Sequence, residues 1–394
     1  MSFWKEQPVT GNSKFDVSLE ASTEILSDEI INKDVNNVKK YTKLELSKDH
    51  EKLPKGFYFE TLKLEELDQL FTFLKFHYIR DASGSNGLLY SKDFLTWYFS
   101  KNSEEERILL VTIKFNNKIM GFISGIPFDI SFNTDTTVDT KKFVFVNFLS
   151  VHKKLRNKKM APMLIEELRR RVGTLNLFQA LFSSTLDLSF AITKVNSFSR
   201  ILDIKKTLEF DSVELPASRT MTSLIKKYKI PKTTSEKFTK IDSDNFDTYK
   251  IMIQDFLESM ISCCKLRLVT SEHLINFYFN NTIIQTYIKL DKNKIIELIS
   301  FYCIDIFNGF GIIEKQANLL YCKSMKRSHK DFLNDILVLA KSSGAIILSF
   351  VDILDYSEFT KINMVKSTNS CLGYYAYNWK TPSLQKSDIS LISM

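Results

Sequence analysis

The chain has 394 residues, 44% apolar and 25% charged, with a formal net charge of +8, which is enough for two domains or one large α/β unit of ordinary globular composition. The mild positive balance suits anionic small ligands such as phosphates, whereas a nucleic-acid binder would be more basic and more clustered. Five cysteines without CxxC spacing and five histidines without an HExxH or H-x-H pair speak for free thiols and against a metal site. The opening MSFWKEQPVTG lacks the apolar stretch of a signal peptide, and no apolar run reaches membrane-span length, so the expectation is a cytoplasmic protein without an integral membrane segment. Phenylalanine is abundant at 32, while glycine (11) and proline (7) are scarce, giving an aromatic interior with room for a long apolar ligand.

In chain order, Phe3-Trp4 and Gln7-Pro8 precede a polar stretch that reads as an extended arm. From Leu62 to Tyr78 the pattern is helical, with Leu67, Leu70, Phe71, Leu74 and His77 on one face, and Arg80–Asn86 is a loop. Phe94–Phe99 is a second short helix. Arg107–Phe115 and Lys118–Ile126 are strands joined at Asn116-Asn117, a hairpin signal. Phe143–Val151 is a near-continuous apolar strand.

A helix follows from Met160, with Pro162 in its first turn and Met160, Leu164, Leu168 and Val172 on one face. Between strand and helix lie Lys153, Lys154, Arg156, Lys158 and Lys159. Five cations beside a helix N-terminus suit a polyphosphate, because free amides and the positive dipole end point the same way. A solvated basic turn is the equal alternative. Leu177–Phe182 is the next strand, followed by Ser183-Ser184-Thr185, an irregular polar segment through Ser197–Arg200, and a helix near Pro216–Tyr228.

Past Pro231 the order recurs. Helices fall at Phe246–Ser259 and Glu272–Phe279, strands at Thr286–Leu290, Lys294–Ile306 and Ala317–Cys322, a helix at Ser328–Lys341 and a strand at Ala345–Phe350. Hairpin, strand, helix, strand thus appears twice, which reads as an ancestral duplication with two similar α/β halves. The second copy lacks the lysine-rich turn, so only the first is expected to bind phosphates.

A strand running into a phosphate-binding turn and helix suggests an acyl-CoA-dependent N-acyltransferase, whose turn reads V-x-x-x-x-R-G-x-G-[IV]-[GA]-x-x-L. Arg156, Ala161 and Leu164 fit, but both inner glycines are replaced, by Asn157 and Lys159. NFLSVHKKLRNKKMAPMLIEELRRRV is more specific and closely resembles the signature of eukaryotic N-myristoyltransferases. So do FW-x-x-QPV at Phe3–Val9, YS-x-x-FL-x-W at Tyr90–Trp97, GFIS-x-IP at Gly121–Pro127, LVLAK at Leu337–Lys341 and YYAYNWKTPS at Tyr374–Ser383. These landmarks span essentially the whole chain.

The resemblance implies an α/β (α+β) fold of two fused acyl-CoA N-acyltransferase-like halves with pseudo-two-fold symmetry around a shared mixed sheet. Its segments would be an arm over residues 1–55 closing on acyl-CoA, an acyl-CoA half over 56–230, and a peptide half over 231–394. It implies myristoyl transfer from the co-substrate myristoyl-CoA, with no prosthetic group or metal, to the amine of an N-terminal glycine on proteins or peptides, by a monomer that binds no nucleic acid. Phe148 and Leu149 occupy the family's oxyanion positions, Ser183 stands where a threonine faces the amine, and the main-chain carboxylate of Met394 is the proton acceptor. Phe3, Trp4, Phe148, Leu149, Ser150, Val151, Arg156, Asn157, Lys159, Met160 and Ala161 match acyl-CoA contacts. Tyr78, Asp81, Ser197, Ser199, Leu319 and Asn369 match peptide-groove positions, several with altered residue types. Two readings compete: an N-acyltransferase of the same fold with another acyl chain or amine, and a binding protein with a degenerate peptide site. A phosphate-rich partner such as RNA is a distant third.

Overall fold

The computed structural model describes residues 3–9, 53–80, 86–133, 138–188, 191–210, 220–354, 356–361 and 363–391. In chain order its elements are β1 (Phe57–Thr61), α1 (Leu67–His77), β2 (Gly87–Leu89), α2 (Lys92–Phe99), β3 (Leu110–Phe115), β4 (Lys118–Asn133), β5 (Val138–Val151), α3 (Met160–Thr174) and β6 (Ala180–Ser184). There follow β7 (Thr193–Ile201), α4 (Ile204–Glu209), α5 (Met221–Lys227), β8 (Thr239–Ile241), α6 (Phe246–Ile261), β9 (Leu266–Leu268), α7 (Glu272–Phe279), β10 (Ile284–Asp291) and β11 (Lys294–Phe307). The last are β12 (Ile313–Ser324), α8 (His329–Ser342), β13 (Ala345–Val351) and β14 (Val365–Tyr377).

The chain forms two compact units, Met1–Ile79 with Lys92–Lys194 and Leu372–Gln385, and Arg80–Ser91 with Val195–Cys371 and Lys386–Met394. The division falls near residue 195, with β7 almost wholly in the second unit and the end of β14 in the first.

In the first unit the strand order is β1-β3-β4-β5-β6 and then the end of β14. The β5–β6 pair is parallel and the others are antiparallel. The hairpin turns at Asn116 and Asn117, both left-handed with φ of 49° and 61°, as a two-residue turn with the strand twist requires. Helix α3 covers one face through Met160, Leu164, Leu168 and Val172, which meet Ile113, Ile123 and Val144. Gly121 and Gly125 of β4 make that approach possible: a Cβ on Gly125 would lie 2.8 Å from Val144 Cγ1 and 3.1 Å from Leu168 Cδ1. Phe122 points to the opposite face, where Phe99 of α2 packs on it at 5.8 Å between ring centroids. A buried Glu167 binds both Arg170 and Arg171 along α3, and Arg171 reaches Thr61 Oγ1 at 2.9 Å.

In the second unit the order is β14-β7-β13-β12-β11-β10-β8, with β2 on β11; β12–β13 is parallel, and the β8–β10, β10–β11, β11–β12, β2–β11 and β7–β13 pairs are antiparallel. Ser328 caps α8 by accepting from Asp331 N–H. Just before it, Arg327 donates to buried Glu297 at 2.6 Å and to Asp335 at 2.7 Å, so this charge is fully committed to the interior. The expected irregular segment at Ser197–Arg200 is instead the middle of β7, paired with β13 from Ile347↔Ile201 to Val351↔Ser197. Serines are weak strand formers, and flanking pairing decides the matter here. Among the described residues no helix is long and apolar enough to cross a membrane, and no group of His, Cys, Asp and Glu could hold a metal ion.

Candidate active site

The first unit carries an irregular strand at the position where Phe148 and Leu149 fall. Opposite β4, β5 runs in register to Ser124↔Asn147 and resumes at Phe122↔Ser150, so Phe148 and Leu149 together face Ile123. This is a β-bulge. Phe148 has φ 55°, an outlier for a bulky side chain that costs about 1–2 kcal/mol. Packing holds it there: its buried ring lies among Tyr78 (5.2 Å), Tyr98 (5.5 Å) and Phe99 (5.9 Å). Its N–H leaves the strand ladder and donates to Asn147 Oδ1 at 2.9 Å. Tyr78 O–H donates to the same oxygen at 3.1 Å, and Asn147 Nδ2 points to Tyr98 Oη at 3.5 Å. Burial pushes the Tyr98 phenol up to about 12, so it stays protonated.

The parallel pair opens at the same level. The β5–β6 register covers Val144↔Ala180, Phe145↔Leu181 and Val146↔Phe182, and then stops. Beyond it, β5 continues to Val151, while Ser183 and Ser184 of β6 pair with Tyr374 and Gly373 of β14. The strands part where the bulge lies. Trp4 stacks on Phe182 at 5.2 Å and Phe3 sits edge-on to Trp4 at 5.3 Å, while Asn378 N–H donates to Pro8 O at 2.7 Å. The N-terminal aromatic pair is thus docked beside the opening.

Past Val151 the chain enters the basic turn. His152 Nδ1 accepts Lys154 N–H at 3.2 Å, and Arg156 Nη2 donates to His77 O at 2.9 Å. Asn157 and Lys159 have φ of 66° and 58°, so the two positions without glycine keep the left-handed conformation glycine favours. Lys159 is the N-cap of α3 but supplies no side-chain cap. The first-turn amides of Met160 and Ala161 therefore have no acceptor in the helix. Lys153, Lys154, Lys158 and Lys159 are exposed, and among the described residues none forms an ion pair.

Of the peptide-groove expectations, Tyr78 is brought to the bulge itself. Ser197 and Ser199 lie on β7 in the second unit, where Ser199 Oγ meets Ser349 Oγ at 3.0 Å. Asn318, partnered with Ser349, shares their face, so buried Leu319 points to the other side of β12. Asn369 lies in β14, its side chain outside the described residues, as are Asp81 and Met394. Asn147, the first residue of the NFLSV motif, and Tyr98, next to Trp97, are not among the expected site residues.

The second unit repeats this arrangement with a different outcome. Opposite β11, β12 is in register at Ile299↔Cys322 and Phe301↔Leu319, so Leu320 and Tyr321 face Ser300 in an equivalent bulge. Its parallel register with β13 likewise stops, at Asn318↔Ser349. Here Tyr356 fills the place: its hydroxyl donates to Leu320 O at 2.8 Å and accepts Cys322 N–H at 2.9 Å. Phe359 stacks on it at 5.8 Å, and Phe350 closes on both.

A bulged strand, a parted parallel neighbour and a cationic helix start define the class: an acyl-CoA-dependent N-acyltransferase fold. The family models for the N-terminal and C-terminal domains of myristoyl-CoA:protein N-myristoyltransferase match residues 36–195 and 209–391. The chain belongs to the N-myristoyltransferase family. It is 28% identical to glycylpeptide N-tetradecanoyltransferase of Drosophila melanogaster (100% of this chain, 81% of that one) and 29% identical to that of Plasmodium falciparum (99% and 92%). It is 30% identical to glycylpeptide N-tetradecanoyltransferase 2 of Danio rerio (86% and 70%). The structure of Saccharomyces cerevisiae N-myristoyltransferase with bound myristoyl-CoA superposes with a TM-score of 0.83 at 20% identity, covering 100% of this chain and 94% of that one.

Proposed function

We propose that this chain transfers the myristoyl group of myristoyl-CoA to the amine of an N-terminal glycine, by direct attack on the thioester carbon that forms the amide C–N bond, breaks the C–S bond and releases CoA as its thiol. The observation that carries this reading is the bulge at Phe148, set where β5 and β6 part and upstream of an uncapped, cationic helix start. The backbone N–H groups of Phe148 and Leu149 act as the oxyanion donors, and each such donor is worth a factor of about 10²–10³. Support comes from the strained φ of Phe148, which turns its amide out of the ladder. The acyl chain enters between the parted strands beside Ser150, Val151 and Ser183, with Phe3 and Trp4 over it. The CoA phosphates meet the amides of Met160 and Ala161 together with Arg156, Asn157, Lys158 and Lys159. Burying roughly twelve methylenes at ~0.8 kcal/mol each supplies on the order of 10 kcal/mol.

The peptide's amine, with a reference pKa of about 8, must lose a proton. The main-chain carboxylate of Met394 accepts it, by positioning and electrostatics more than by basicity. The tail leading to it is anchored within the second unit: Ser390 N–H donates to Leu266 O at 3.0 Å, and Ile389 and Leu391 are buried. Tyr78, Asp81, Ser197, Ser199, Leu319 and Asn369 shape the peptide groove, with weaker preference for basic residues than a groove rich in acids would give. We place the enzyme in the cytosol as a monomer, with the five free thiols in support.

A radiolabel transfer assay with myristoyl-CoA and an octapeptide beginning Gly-Ser tests this. Transfer to the glycine peptide and not to its alanine counterpart is expected, with shorter acyl-CoAs competing poorly. No transfer, with myristoyl-CoA still bound, would leave an acyl-CoA-binding protein instead. Extending the chain past Met394 is expected to lower turnover far more than acyl-CoA binding, and unchanged turnover would remove the carboxylate from the mechanism.

A further inference from the structure

The turn between β5 and α3 poses a physical problem. Asn157 and Lys159 are both left-handed without being glycine. Such residues cost roughly 1–2 kcal/mol apiece and persist only where surroundings over-determine them. The helix cap contributes nothing, since Lys159 makes no side-chain cap. What holds the turn lies elsewhere.

Three contacts run to it from two histidines. His77, in the last turn of α1, accepts Arg156 Nη2 at its carbonyl at 2.9 Å, and its Nδ1 faces Lys153 N–H at a long 3.5 Å. His152 Nδ1 accepts Lys154 N–H at 3.2 Å. The rings lie 4.2 Å apart, and His77 is backed by Phe73 at 5.0 Å. Each Nδ1 faces a backbone N–H, a contact that only a ring carrying its proton on Nε2 can accept. Among the described residues, the charged groups that bear on His152 are the cations Lys154 and Lys153, and Arg156 binds the His77 carbonyl. Burial and the nearby Lys154 and Lys153 hold the His152 ring below the usual histidine range.

We propose that His77, acting with His152, is a positioning residue that clamps the acyl-CoA phosphate turn in the shape glycines give it elsewhere, and that the clamp works only with both rings neutral. Protonation removes an acceptor from a backbone amide and, at His152, adds a cation beside Lys154 and Lys153. The turn is released in acid. Simple charge attraction between a more positive turn and phosphates predicts the reverse, tighter binding at low pH, so the sign separates the two.

The proposal rests on the reading of this turn as the phosphate site, and the test keeps them apart. Myristoyl-CoA is titrated into the full chain by calorimetry at pH 7.5 and 5.8, with thermal melting to confirm folding of each variant. Changing Lys158 and Lys159 together to alanine checks the site: an unchanged Kd would overturn the phosphate reading itself. With that loss in hand, His77→Ala is expected to raise Kd about tenfold at pH 7.5, equivalent to ~1.4 kcal/mol. His77→Asn, whose amide oxygen still accepts but does not titrate, should stay within about twofold of the parent.

Two further readouts identify positioning. In a background carrying Asn157→Gly and Lys159→Gly, the penalty of His77→Ala should shrink to about twofold or less, because the turn no longer needs the clamp. From pH 7.5 to 5.8 the parent should lose more affinity than His77→Asn. The CoA 3′-phosphate, with a second pKa near ~6, contributes equally to both and cancels in the difference. A His77→Ala protein that binds as tightly as the parent, an equal penalty in the glycine background, or identical pH profiles for parent and His77→Asn would each overturn the clamp.

Discussion

The two units contain the same bulge and differ in what has been done with it. In each, a long strand leaves register with its antiparallel neighbour by one residue and parts from its parallel neighbour a step earlier, at Phe148–Leu149 and at Leu320–Tyr321. In the first, the bulged residue is left-handed, and its amide donates to the side chain of Asn147. In the second, among the described residues, none of the bulge is left-handed, and buried Tyr356 satisfies both a carbonyl and an amide. The turns that follow diverge as well. Lys158 and Lys159 find no carboxylate among the described residues, whereas Lys326 pairs with Asp291 at 2.5 Å and Arg327 with Glu297 and Asp335. The lesson is that the fold supplies the opening twice, and side-chain commitments decide that it stays available once. We propose that only the first unit takes acyl-CoA.

The largest effect expected from breaking this contrast is at Tyr356. Replacing it with alanine empties the plug beneath Phe350 and Phe359 and strands Leu320 O and Cys322 N–H, so urea unfolding should report a loss of about 3–5 kcal/mol. Tyr356→Phe keeps the volume and loses the two hydrogen bonds, for about 1–3 kcal/mol. Acyl-CoA stoichiometry should remain one per chain in both, because the two cations of the second turn, Lys326 and Arg327, are already paired with carboxylates. A second equivalent bound by Tyr356→Ala would show that the plug alone separates the halves. Next in size is Gly125→Val on β4. It should cost about 1–3 kcal/mol in thermal or urea unfolding, since its Cβ already meets Val144 and its γ-carbons would press on Leu168 of α3. The corresponding long strand of the second unit, β11, has no glycine.

Much of this was legible in the sequence. Helix α7 was placed at its observed limits, the Asn116-Asn117 turn correctly, and the strand–turn–helix at the centre of the site within a few residues, because each is announced by local pattern or by a residue tolerant of left-handed backbone. Strands β1, β7 and β14 were not read as strands. Ser197–Arg200 in β7 and Ser367–Gly373 in β14 are rich in serine and other weak strand formers, and partner strands, which no local window contains, decide their state. The site shows the same divide. The cations and the proposed oxyanion positions are local features of one stretch, but the convergence of Tyr78 and Tyr98 on Asn147 joins residues 69 apart and 49 apart in sequence. That Asn157 and Lys159 remain left-handed could not be read at all, since neither residue type requires it.

Neutralising the uncommitted cations is a smaller perturbation than unplugging the core. Changing Lys158 and Lys159 to alanine should raise the Kd for myristoyl-CoA about tenfold at low ionic strength and less at high salt, because exposed charges are screened. Lys326→Ala, in the corresponding turn, should leave that Kd unchanged, as its charge is already paired with Asp291. Equal losses at both positions would mean that the protein's general field, rather than a built turn, attracts the ligand.

The smallest expected effect is the most diagnostic, because stability and binding should move in opposite directions. Lys159→Gly removes a side chain from a left-handed position worth about 1–2 kcal/mol of strain, and it costs about 0.5–1 kcal/mol in the added freedom of the unfolded chain. A net gain of about 0.5–1 kcal/mol in urea unfolding should result. The same change removes one ammonium beside the first amides of α3, so myristoyl-CoA should bind a few-fold more weakly. A stability gain with a binding loss would mean that this chain keeps a strained lysine at the helix start for its charge, which is what separates this turn from Ser328, the well-capped start of α8. If stability also falls, the lysine is held by contacts that outweigh its strain, and the turn is a structural element first and a phosphate site second.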